Sequence, residues 1–228
     1  AMHIALILIL LLLLVVGPGL WVKRVMQRYH SPVDRYGYSG SQTARRLLDS
    51  LGLQDVVVEE ADIGDHYDPE ARAVRLSPAN YGGNSLTAVT VAAHEVGHAL
   101  QHATGCAPLV WRTRMVKWVG PIEKTGAVLM MATPVIIALT RLPMAGLLMV
   151  MAGLMTLGSA VVIHLLTLPK EFDASFGRAL PLMKEQDVLY SSDEKHARRL
   201  LKAAAMTYVS ASLMSLLNIA RWIAILRR

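Results

Sequence analysis

The stretch AVTVAAHEVGHALQH, Ala88–His102, carries a His-Glu-x-x-His motif inside an otherwise apolar run. In an α-helix, residues four apart lie about 40° apart around the axis and about 6 Å apart along it. His94 and His98 would therefore point their imidazoles at one place, with Glu95 beside it. A catalytic zinc needs two such neutral imidazoles and a nearby carboxylate that takes a proton without ligating the metal. The stretch predicts a helix over residues 85–103 that holds zinc and a general base.

A catalytic zinc also takes a third protein ligand and keeps one position open. The longer H-E-x-x-H-x-x-G-x-x-H motif is excluded, because Gln101 and Thr104 occupy its glycine and last histidine positions. Two later glutamates remain as candidates. Glu123 follows His98 by 25 residues, and Glu171 lies in PKEFDAS. Spacing and topology leave both open.

The composition of the whole chain indicates a membrane protein. Of 228 residues, 54% are hydrophobic, which is too apolar for an ordinary soluble domain. The chain contains four apolar runs, and each is close to the length of about 20 residues that a membrane-spanning helix needs. The first run has neither an upstream positive region nor a cleavage site, so we expect a retained anchor. The runs predict four transmembrane helices, the middle two forming a hairpin: 4–22, 119–140, 144–168 and 203–226. The last run could instead be an amphipathic helix at the interface.

The distribution of charge predicts how these helices are oriented. Of the 23 Lys and Arg residues, 12 lie in residues 23–124 and 7 in residues 170–202. Because basic residues are retained in cytoplasmic loops, both segments are expected on the cytosolic side. The net charge of +6 suits anionic lipid headgroups, and no basic pattern interleaved with aromatics points to nucleic acid. The single cysteine, Cys106, excludes an intrachain disulfide.

Residues 23–118 are expected to form a small α+β unit, and residues 169–202 a second cytosolic segment. Local signals predict a capped helix over Ser39–Gly52, a strand in Asp55–Glu60 and a β-hairpin over Asp62–Ser77. Asn84 or Ser85 would then cap the motif helix. The second hairpin strand, in ARAVRLS, is predicted to be an exposed edge to which an extended substrate peptide adds.

Several strings besides the motif resemble one family. AAHEVGHALQH is preceded by DHYDP and VRLSPANYGGNSL, and is followed by LPKEFDAS and LLKAAAMTYV. This series resembles the YugP-like bacterial membrane zinc metallopeptidases over nearly the whole chain. Those proteins are distantly akin to the Ste24 and HtpX type of membrane protease.

The resemblance implies a mostly α-helical integral protein of the bacterial inner membrane with a gluzincin-like unit at its cytosolic face. It implies an endopeptidase with one zinc ion that hydrolyses peptides or membrane-associated proteins. It further implies that His94, His98 and Glu171 are the zinc ligands and that Glu95 is the general base.

One position departs from the relatives' pattern: Ser175 stands where they carry aspartate. Asp173 is the candidate to replace that carboxylate in orienting a ligand histidine. His102, one turn beyond His98, is open as a partner of a ligand, as a rival ligand, or as a histidine that faces solvent or the membrane interface. His164 is of interest because ionisable residues inside a membrane segment are rare.

An oxyanion donor besides zinc is also expected, and the sequence does not choose among its candidates. They are His66, Tyr67, Tyr81, Tyr190, His196, Arg198 and Tyr208. Two other functions compete with a peptidase at the membrane surface. A site-2-type intramembrane protease needs an acid on a later span, and the predicted spans have none in their cores. A membrane scaffold or chaperone would bind zinc structurally or not at all. The oligomeric state is left open.

Overall fold

The computed structural model describes residues 2–105 and 107–215 and is mostly helical. Cys106 and the end of the predicted fourth span lie outside the described residues. The helices are α1 Met2–Arg28, α2 Gly40–Ser50, α3 Pro78–Tyr81, α4 Leu86–Ala103, α5 Ala107–Thr140, α6 Pro143–Leu166, α7 Leu168–Phe172, α8 Leu180–Glu185 and α9 Glu194–Ser215. The strands are β1 Val57–Glu60, β2 His66–Asp68 and β3 Ala73–Leu76. A π-helical segment, Asp173–Ala179, joins α7 to α8, and a 3₁₀ turn, Ser191–Asp193, precedes α9.

The chain divides into two compact units. The polar unit comprises Leu20–Leu109 and Leu168–Thr207. The apolar unit comprises the chain up to Gly19, the segment Val110–Thr167 and the chain from Tyr208 onward.

Within the part of the chain that the structure describes, two helical stretches are long and apolar enough to cross a bilayer. They are Lys117–Thr140, in the apolar unit, and Pro143–Glu185, whose residues from Leu168 onward belong to the polar unit. Apolar side chains on both are exposed, including Leu139 and Met155. Exposed apolar surface of this kind is typical of lipid-facing helices and indicates association with a membrane.

The structure gives less support for the other two predicted spans. The first is helical, as α1, and seven of the leucine and isoleucine side chains whose exposure the structure describes there are more than half exposed: Leu6, Ile9, Leu10, Leu12, Leu13, Leu14 and Leu20. The last is described only as far as Ser215. Four spans therefore stay a prediction.

The polar unit contains a three-stranded sheet in the order β1-β3-β2. The predicted hairpin is confirmed: β2 and β3 are antiparallel, and Asp68 accepts the backbone N–H groups of Glu70 and Ala71 in the turn. The prediction that ARAVRLS is an exposed edge strand is wrong. β1 pairs in parallel with the other side of β3, so β3 is the central strand. The open edges of the described sheet belong to β1 and β2.

Two serine caps fix where the packed helices start. Ser39 and Gln42 form a reciprocal capping box at α2, and the Ser85 hydroxyl accepts the Ala88 N–H at α4. α4 is buried along nearly its whole length, since the sheet, α2 and the π-helical segment pack around it. The largest fully buried apolar side chains of this core are Leu47, Leu48, Val56, Leu76, Val74, Val89, Val96, Met183, Leu200 and Leu201.

Candidate metal centre

The motif residues lie in the middle of α4, within the core of the polar unit. His94, Glu95 and His98 are each 6% exposed or less. An α-helix with these polar side chains is buried only where other groups satisfy them. The groups that satisfy these side chains must therefore lie on the segment that packs against α4.

The segment across from α4 comes close because of one glycine. A Cβ on Gly97 would lie 2.5 Å from the carbonyl oxygen of Ala174. Only glycine allows the π-helical segment to pack this tightly on α4. π-Helical turns are rare and occur often at functional sites. Here the segment and the end of α7 carry Glu171 and Ser175 onto the motif.

Three potential ligands converge at this contact. The Oε2 atom of Glu171 lies 3.0 Å from His98 Nε2 and 3.5 Å from His94 Nε2. Ligand atoms of all three residues lie within 4.8 Å of one another, and Glu171 is fully buried. Among the described residues this group does not include Glu123, which lies on α5 in the apolar unit.

The hydrogen bonds of Ser175 determine which nitrogen of His94 carries the proton. The Ser175 hydroxyl donates to the carbonyl of Leu201 at 2.9 Å, so its single proton is used. At 2.9 Å from His94 Nδ1 it must then accept a proton from that nitrogen. His94 is thus protonated at Nδ1, and its Nε2 lone pair faces Glu171.

The hydrogen bonds of Gln101 determine which nitrogen of His98 carries the proton. Its amide nitrogen donates to the carbonyl of Lys170 at 2.9 Å and to Asp173 Oδ2 at 2.8 Å. Its oxygen therefore faces His98 Nδ1, 2.9 Å away, and accepts a proton from it. Sequence reasoning considered Gln101 only for the longer zinc motif. Its spacing of three from His98 on one helix was the signal that could have found it.

These partners change the expectation for Asp173. The aspartate was the candidate to orient a ligand histidine directly, but it reaches His98 only through Gln101. The serine at position 175 contacts His94 itself. The Nδ1 atoms of His94 and His98 therefore have neutral partners in direct contact.

The electrostatics of the group suit a cation. Burial lowers the pKa of His98 to about 4, so this imidazole is neutral at physiological pH. Burial by itself would raise the pKa of Glu171, but the facing histidines outweigh it and the pKa lies below its usual range. The two Nε2 atoms and the buried carboxylate of Glu171 converge on one place. Nitrogen and oxygen donors of this kind fit a zinc ion.

His102 lies outside this group. Its Nδ1 atom is 2.8 Å from the hydroxyl of Tyr67 on β2, and the side chain is partly buried. Several other oxyanion candidates also have partners: Tyr190 stacks on Tyr36, His196 stacks on Tyr29, Arg198 pairs with Glu194, and His66 contacts the Gly64 carbonyl. Tyr81 lies on α3, Tyr208 on α9, and His164 on α6 of the apolar unit.

A helix bearing His-Glu-x-x-His that faces a buried glutamate offers the donors found in zinc-dependent peptidase centres with two histidine ligands and one glutamate ligand. Residues 4–227 match the family described as "Putative neutral zinc metallopeptidase", and the chain belongs to this family. It is 37% identical over 223 residues to "Putative membrane protease YugP" of Bacillus subtilis (strain 168), and the match covers 95% of each chain. No solved structure matches the chain.

Proposed function

We propose that this chain is a membrane-embedded zinc endopeptidase that hydrolyses peptides or membrane-associated proteins. His94, His98 and Glu171 would hold one zinc ion, and Glu95 would be the general base. The observation that carries the proposal is the convergence of the His94 and His98 Nε2 atoms on the buried carboxylate of Glu171, a set of donors that fits a zinc ion.

The residues of the chain have separate tasks in this reaction. When bound, zinc polarises the scissile carbonyl and lowers the pKa of water. Glu95 takes the proton of the attacking water and passes it to the leaving amine. The buried surroundings of Glu95, formed by α4 and its neighbours, keep bulk water from competing for that proton.

The open edge of β2 supports a mode of substrate binding. β2 packs on α4, and its Tyr67 is hydrogen-bonded to His102, one turn after His98. An extended peptide that adds to this edge would run beside the motif helix. Main-chain pairing would bind peptides of varied sequence.

We further propose that the protein is a multi-pass protein of the bacterial inner membrane, with α1, α5 and α6 crossing the bilayer. The basic residues of the segments 23–124 and 170–202 support a cytosolic position for the polar unit. The burial of α4 between the sheet and other helices favours this arrangement over a site-2-type protease, whose motif lies in a spanning helix. A structural zinc would take four protein ligands, whereas the described cluster offers three.

The test measures zinc content and hydrolysis of a labelled casein by the detergent-solubilised full chain. We expect Glu95→Gln to retain zinc and lose activity by about 100-fold or more. Glu171→Ala should lose zinc, whereas the matched change Glu123→Ala should keep it. Full activity in Glu95→Gln would overturn the mechanism. Zinc loss in Glu123→Ala, but not in Glu171→Ala, would reverse the assignment of the third ligand.

A further inference from the structure

Gln101 lies at the centre of a buried hydrogen-bond relay behind His98. Its side chain is fully buried, and all three bonds of its amide are made inside the protein. The relay runs from Asp173 through Gln101 to His98 Nδ1, on the side of the imidazole opposite the proposed zinc position.

A glutamine amide has a donor end and an acceptor end, and its orientation decides what it offers a neighbour. If the amide turned over, its oxygen would face the Lys170 carbonyl and the Asp173 carboxylate. Two acceptor pairs would then be in contact inside the protein, which is unfavourable. The same turn would present an N–H to His98 Nδ1 and move the imidazole proton to Nε2. That tautomer cannot ligate a metal through Nε2.

We propose that Asp173 and the Lys170 carbonyl lock the Gln101 amide in the one orientation that leaves His98 Nε2 free for metal. Gln101 and Asp173 are thus positioning residues, and neither contacts substrate or zinc. This inference rests on the proposed function, because it concerns how the same centre is kept ready for its ion.

Asp173 is itself held in place. Arg178 Nε donates to the same Oδ2 atom at 2.8 Å, and another nitrogen of Arg178 lies 3.2 Å from the Thr104 hydroxyl at the end of α4. A Cβ at Gly177 would lie 2.5 Å from Asp173 Oδ1, so this glycine leaves room for the carboxylate. The relay therefore depends on the π-helical segment as well as on α4.

The first test replaces Gln101 with methionine, which keeps the length of the side chain and removes its hydrogen bonds. We expect zinc affinity, measured against a competing chelator, to fall about 10- to 100-fold. In the metal-free protein, the ¹⁵N chemical shifts of the His98 ring should change from those of the Nδ1–H tautomer to those of a mixture of the Nδ1–H and Nε2–H tautomers. The matched control is Arg45→Met, which removes bonds to the carbonyls of Leu53 and Val56 away from the centre. It should leave both readouts unchanged.

The second test separates orientation from packing. Asp173→Ala frees the amide to turn, so zinc affinity should fall about 10-fold. Adding Gln101→Glu should restore part of it, because a carboxylate receives the Nδ1 proton in either orientation, although one of its oxygens then faces the Lys170 carbonyl. A purely structural role of Asp173 would not be rescued by this second change.

Unchanged zinc affinity and an unchanged His98 tautomer in both Gln101→Met and Asp173→Ala would overturn the relay. So would a double variant that binds zinc no better than Asp173→Ala. Neither result bears on catalysis, which Glu95→Gln tests separately. The relay can therefore fail while the peptidase assignment stands, and the reverse also holds.

Discussion

The hydroxyl of Ser175 accepts the Nδ1 proton of His94 at 2.9 Å while donating its own proton to the Leu201 carbonyl. A carboxylate there would make the imidazole a stronger donor to the metal than a hydroxyl does. Because Gln101 is also neutral, the Nδ1 atoms of both His94 and His98 have uncharged partners in direct contact.

Ser175→Ala is predicted to weaken zinc binding by about 10-fold, since His94 would lose the acceptor that fixes its tautomer. Chelator competition on the purified protein measures this. Ser50→Ala is the matched control, because the Ser50 hydroxyl likewise donates to a backbone carbonyl, that of Leu47. Equal zinc affinity in the two variants would mean that Ser175 does not position His94.

Gly97→Ala is predicted to destabilise the protein by about 1 to 3 kcal/mol and to lower its zinc content. The added methyl would meet the backbone of Ala174, which cannot give way without moving the π-helical segment and Glu171 with it. Thermal melting in detergent and metal analysis measure the two effects. Gly37→Ala is the control, since a Cβ there meets nothing within 4 Å. If both variants melt and bind zinc like the wild type, close packing at Gly97 is not needed for the centre.

The sequence predicted the elements that have local signals. The Ser39 cap, the Ser85 cap and the turn at Asp68 are all in the structure. Each depends on a side chain that accepts a hydrogen bond from a backbone N–H two or three residues away. The helical spacing of His94 and His98 likewise needed no tertiary information. The family resemblance implies that Glu171 is the third zinc ligand, whereas spacing alone does not distinguish it from Glu123.

The long-range features were beyond local reasoning. The parallel pairing joins β1 to β3 although β2 lies between them in the sequence, and no pattern in ARAVRLS distinguishes a central strand from an edge. The π-helical segment has no sequence signature of its own. Gln101 was missed because its role depends on Asp173, 72 residues away.

His102→Ala is predicted to keep its zinc, whereas His98→Ala should lose it under the same conditions. The reason is that His102 Nδ1 bonds the Tyr67 hydroxyl and the residue is not part of the ligand group. Metal analysis after dialysis against a weak chelator distinguishes the variants. Zinc loss in His102→Ala equal to that in His98→Ala would make the third histidine of the motif helix a ligand.

The last prediction concerns acid stability and an ion pair away from the metal centre. Arg35 bonds both carboxylate oxygens of Asp193, at 2.6 and 2.7 Å, and the Tyr36 hydroxyl adds a third bond at 2.7 Å. The Arg35 hydrogen bonds hold the pKa of Asp193 below its usual range, although burial opposes this. A carboxylate whose pKa is lowered on folding contributes stability that is present above its unfolded pKa of about 3.9.

That contribution is lost as pH falls through the lower pKa of the folded protein. Asp193→Asn should therefore melt at a lower temperature than the wild type between about pH 5 and 7, and the difference should shrink below about pH 4. Melting of the detergent-solubilised protein over this range measures it. Asp49→Asn is the control, because its pair with Arg45 is solvent-exposed and such pairs contribute little. A melting difference for Asp193→Asn that stays constant down to pH 3 would mean that the charge of Asp193 does not stabilise the fold.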